Sequence, residues 1–112
     1  MNELKSIGTI ISYYESTFMI VGFETCVIAS ELVPHYIIVP VPLGYINQES
    51  LRAIPVDSEF EVVQEGFINE LGEKYLAGRL YQFNEQSRLS AEQWESLEPV
   101  FISSMESAGG QV

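Results

Sequence analysis

The sequence predicts an α+β fold: a small antiparallel, twisted β-sheet or partly open barrel of about four to five strands, then one long amphipathic helix and a shorter C-terminal helix. Three observations predict it. The N-terminal part is built from short β-branched and aromatic runs separated by polar or proline-containing breaks. From residue 68 the apolar spacing changes to that of a helix. The 112 residues, 46% apolar and 19% charged, suit one globular core and not a disordered chain.

The run Ile7-Gly8-Thr9-Ile10-Ile11-Ser12-Tyr13-Tyr14 is rich in residues that suit a pleated, half-buried surface. Glu15-Ser16-Thr17 makes a polar break, and Phe18–Phe23 follows as the second arm of a hairpin, with pairing extending through Cys26, Val27 and Ile28. Residues 29–34 read as a loop ending in Pro34, and His35–Val39 as the next strand. Pro40 and Pro42 remove two backbone donors, so Pro40–Gly44 is expected at an edge, a bulge or an extended loop. Asn47–Ala53 is compatible with a turn of helix, which Pro55 stops. Glu59–Phe67 partly alternates acidic and apolar residues, as in a strand with one wet face.

Ile68, Leu71, Tyr75, Leu76, Leu80 and Phe83 then form one stripe at helical spacing. Asn69 fits an N-cap, and Glu70 and Lys74 an i, i+4 pair. Gly72 and Gly78 each cost about 1 kcal/mol relative to alanine, so tertiary packing must hold this helix. A second helix is expected from Ser90, where Ser90 and Gln93 have capping-box spacing, and Pro99 limits it. Residues 1–102 are expected to form a single α+β domain, and the Ser/Gly-rich 103–112 a flexible tail.

Charge and composition narrow the function. Five basic residues against sixteen acidic ones give a net charge of −11, which argues against a nucleic-acid partner. Such acidity is expected either to serve solubility alone or to steer a basic partner. No run approaches the roughly 18 apolar residues of a membrane span, so no membrane insertion is expected. Met1–Lys5 has no signal-peptide pattern, and the expected location is cytoplasmic. Cys26 is the only cysteine and has no basic neighbour in sequence to activate a thiolate; a buried or half-buried strand position is expected.

A catalytic site needs a nucleophile, a base and an orienting group, and neither the single histidine, His35, nor Cys26 has such partners in its own segment. The expectation is therefore no catalytic, metal or cofactor site. Glu59, Glu61 and Glu65 share parity in a strand and could line one face as cation ligands or paired carboxylates; a solvated strand face is the simpler reading. The expected partner-binding residues are Val41, Pro42, Leu43, Tyr45, Tyr81 and Trp94. Val41, Leu43 and Tyr45 would share a side if extended, although the same segment could be a rigid corner packed on the core. Tyr81 and Trp94 are aromatics available to an interface.

Four segments taken in order add to this. They are Ser6–Ile11, Phe18–Phe23, Tyr36–Val39 with Pro42–Ile46, and Glu61–Phe67 just before an acidic helix. Their order and spacing resemble domain-of-unknown-function family 4176, small proteins encoded near type VII secretion (LXG-type) toxins in Gram-positive bacteria. The resemblance spans roughly residues 4–83. It departs from the family pattern at Glu15-Ser16-Thr17, where a basic turn is usual, and at Val41-Pro42-Leu43-Gly44, where a Tyr-Pro-Glu-Gly stretch is common. What it implies is a non-catalytic accessory role: a targeting chaperone or adaptor whose protein partner is a toxin or secretion substrate. The alternatives are an immunity protein that neutralises a cognate toxin and, from another class, a small-ligand-binding β-rich domain. Homo-oligomerisation is left open.

Overall fold

In the computed structural model, which describes residues 3–87, five strands form one sheet in the order β4-β3-β2-β1-β5. The strands are β1 (Ile10–Tyr13), β2 (Ser16–Ile28), β3 (Glu31–Pro40), β4 (Arg52–Pro55) and β5 (Glu61–Gln64). A short 3-10 turn, Gln48–Ser50, precedes β4, and the helix α1 (Glu70–Gln86) follows β5. The α+β class and the open antiparallel sheet are as the sequence predicts. The expected second helix from Ser90 and the tail 103–112 lie outside the described residues.

Both hairpins are tighter than their sequences suggest. Tyr13 pairs directly with Ser16, leaving Tyr14 and Glu15 as a two-residue turn with φ of 48° and 64°. Ala29 and Ser30 join β2 to β3 with φ of 51° and 67°. Two successive positive φ values match the twist of the flanking strands, so the backbone takes them without glycine or asparagine. The expected breaks at 15–17 and 29–34 are therefore strand for most of their length. Pro34 sits inside β3, and its carbonyl accepts from Val56 N at 3.1 Å.

The contacts gather into two compact units. The first comprises residues 5–24 and 34–67. Its interior holds Ile11, Phe18, Ile20, Phe23, Tyr36, Ile38, Val39 and Ile54. Tyr36 lies at the centre, its ring 5.7 Å from Phe23 and 6.0 Å from Phe60, and its hydroxyl accepts from Lys5 N at 2.9 Å. Each such buried side chain contributes about 1.5–3 kcal/mol, so these strands carry the sheet. All four residues of β5 are exposed, and β5 is held mainly by its ladder to β1.

One backbone crossing in this unit depends on glycine. A Cβ at Gly66 would come 2.5 Å from Ile7 O and 2.7 Å from Thr9 N, closer than side-chain carbons approach. The crossing is tied by the buried Thr9, whose hydroxyl accepts from Gly66 N at 3.1 Å.

The second unit contains, among the described residues, 3–4, 25–33 and 68–87. Asn69 caps α1 by accepting from Gly72 N at 2.9 Å, and Lys74 lies 3.7 Å from Glu70, both as the sequence predicts. The buried face differs from the expected stripe. Gln82, Phe83 and Gln86 are buried, whereas Leu71, Tyr75, Leu76 and Leu80 are half-buried and Ile68 precedes the helix, exposed. Gln86 accepts from the Thr25 hydroxyl at 2.8 Å.

Candidate functional site

The segment after β3 is a chain reversal. Pro40 ends β3; Val41 N still donates to Thr17 O at 3.0 Å, and then Gly44 N donates back to Pro40 O at 2.6 Å. Gly44 has φ of +69°, a conformation that side chains disfavour. The segment is thus a tight turn, and the side-sharing expected of an extended Val41, Leu43 and Tyr45 does not apply.

A single serine pins the far end. Ser50 Oγ accepts from Ile46 N at 3.0 Å and donates to Asn47 O at 2.6 Å. Backbone fixed at both ends loses less entropy when a partner docks. On this fixed loop Leu43 is 68% exposed, Tyr45 60% and Ile46 63%. Pro42 is exposed beside them, and Val41 is half-buried. From Leu32 to Gln48 the chain carries no Asp, Glu, Lys or Arg, so the loop itself is uncharged in a strongly acidic protein, with Glu49 and Arg52 beside it. That pattern, apolar side chains with charge depleted, is the one that marks interface centres.

Beside the loop lies an open groove of about 410 Å³. Its floor includes Phe18, Pro40 and Val41, and Ser16, Thr17, Glu49, Ser50 and Arg52 line it. The Arg52 guanidinium stands 5.7 Å from the centre of the Phe18 ring, a cation–π contact. The volume falls within the range of small-ligand pockets, but the groove is open, and Ser50 spends its hydroxyl on the loop.

Of the sequence-predicted partner residues, the structure gathers Val41, Pro42, Leu43 and Tyr45 in this one loop. Tyr81 is exposed on α1, in the other unit. Trp94 lies outside the described residues. Sequence reasoning missed Ile46, Phe18 and Arg52 as members of the surface. Ile46 follows Tyr45 directly and could have been found by extending the apolar run; Phe18 and Arg52 come together only through the sheet.

The other singled-out groups stand elsewhere. His35 is buried in β3, and Cys26 is half-buried in β2 as expected. Glu59, Glu61 and Glu65 are all exposed, but they do not line one continuous face. Ile11 pairs with Val62 and Ile10 with Gln64, so Val63 is an extra, bulged residue that breaks the alternation. Among the described residues no cluster of three His, Cys, Asp or Glu could hold a metal ion, and no helix is long and apolar enough to cross a membrane. Compared with known proteins, the chain matches no family model, no curated protein and no solved structure.

Proposed function

We propose that this chain is a non-catalytic, protein-binding accessory factor that docks its partner through the loop Val41–Ile46. The observation that carries this reading is the exposure of Leu43, Tyr45 and Ile46 on a backbone pinned by Ser50. Large apolar side chains held in place, with no charge in their segment, are suited to desolvation by another protein. The resemblance to family 4176 supplies the client class: a type VII secreted toxin, for which the chain acts in the cytoplasm as a targeting chaperone or adaptor. An immunity role would use the same surface.

Coexpression with a candidate toxin client separates the two. A chaperone raises the toxin's steady-state level or export and leaves its toxicity in place. An immunity protein abolishes toxicity. If the chain neither co-purifies with the toxin nor changes its level, export or toxicity, the proposed function is wrong. The small-ligand alternative has one observation in its favour, the groove over Phe18 and Arg52. It predicts that a ligand retained through purification is displaced by Arg52→Ala.

A further inference from the structure

We infer that the outer edge of β5 takes a basic, extended segment of the partner protein as an added strand. This rests on the protein-binding reading above and adds a second contact to it. β5 ends the sheet order, with β1 on one side and no strand among the described residues on the other. All of its residues are exposed, Val63 by 61%, and Phe67 just beyond it by 85%. Unpaired amides and carbonyls beside exposed apolar side chains are a template for strand addition.

The charge around this edge selects the occupant. Between Ala53 and Phe67 the chain has Asp57, Glu59, Glu61 and Glu65 and no Lys or Arg. A second copy pairing through β5 would set these carboxylates against their own kind, and like charges across strands repel. The Val63 bulge and the short length guard further against indiscriminate pairing. A strand that carries Lys or Arg among apolar residues escapes the charge repulsion, and the bulge and the short length confine its ladder to the few residues of β5. Such a strand matches the carboxylates by charge and covers Val63 and Phe67.

The probe is a synthetic peptide of alternating lysine and valine, titrated into the full chain at low salt and followed by fluorescence anisotropy and backbone amide exchange. Three comparisons accompany it: a glutamate–valine peptide, a lysine–valine peptide with proline inserted at intervals, and charge-reversed proteins. One protein carries Glu59→Lys, Glu61→Lys and Glu65→Lys. The other carries Glu15→Lys, Glu24→Lys and Glu31→Lys, an equal charge change at exposed positions outside residues 57–67. Expected is binding of the basic peptide with new amide protection at 61–65. It is expected to weaken about ten-fold or more with the β5 reversals or with proline, and less with the control reversals. Equal weakening by both protein sets, undiminished binding of the proline peptide, or no protection at 61–65 overturns the inference. So does finding no binding at all. A client toxin that binds wild type and β5-reversed protein equally also overturns the edge contact while leaving the protein-binding function standing; a client that binds neither counts against the function itself.

Discussion

Gly66 donates its amide hydrogen to the hydroxyl of Thr9 at 3.1 Å, where the chain leaving β5 crosses the segment leading into β1. Thr9 is fully buried, and its hydroxyl meets both this amide and the Ser6 hydroxyl, 3.1 Å away. Two substitutions test the crossing. Gly66→Ala forces a carbon against the Ile7 and Thr9 backbone and is expected to destabilise by about 1–3 kcal/mol. Thr9→Val keeps the shape and orphans the Gly66 amide, an expected loss of about 1–3 kcal/mol. Urea unfolding measures both; unchanged midpoints would mean the crossing is not formed.

The hairpin turns predict gains. Tyr14, Glu15, Ala29 and Ser30 all sit at positive φ without being glycine. Glu15→Gly and Ser30→Gly remove the side-chain clash of that conformation and give back part of the benefit as unfolded-state entropy. Each is expected to stabilise by about 0.5–1 kcal/mol, read as a higher urea midpoint with an unchanged slope. A lower midpoint would show that the native turn is not of this type.

Gln86 offers a test in the second unit. Its side chain is buried, its Oε1 accepts from Thr25, and its Nε2 has no hydrogen-bond partner among the described residues. Replacing both partners by apolar groups of similar shape, Thr25→Val with Gln86→Met, is expected to be neutral or stabilising. Gln86→Ala alone leaves a cavity and an unpaired hydroxyl and is expected to destabilise by about 1–3 kcal/mol. If the double variant loses as much as the single one, the orphaned amide has a partner in solution.

How far the fold was legible follows from where each signal resides. The cap at Asn69 and the pair Glu70–Lys74 are local, and the sequence shows them directly. The strands β1, β2 and β3 announce themselves by β-branched runs. β4 does not: Arg52-Ala53-Ile54-Pro55 has weak strand preference and reads as the end of a helical turn. It becomes a strand because His35–Ile38 offer it a ladder. The turns at Tyr14-Glu15 and Ala29-Ser30 carry no glycine or asparagine, so their type is set by the strands they join. The burial of Gln82 and Gln86 runs against helical patterning, and only the hydrogen bond from Thr25 explains Gln86. The loop Val41–Ile46 was half legible. Pro40 and Pro42 signal a departure from the ladder, but the groove of Phe18 and Arg52 is assembled from positions far apart in sequence.

The proposed protein-docking surface is Val41–Ile46. The most direct test is calorimetric titration of the purified toxin client into wild type and into the triple variant Leu43→Ser, Tyr45→Ser, Ile46→Ser. All three side chains are mainly exposed, so the variant is expected to unfold within about 0.5 kcal/mol per substitution of wild type. Its affinity for the client is expected to fall about ten-fold or more, the consequence of losing interface-centre contacts. A folded triple variant that binds the client as tightly as wild type would contradict the claim.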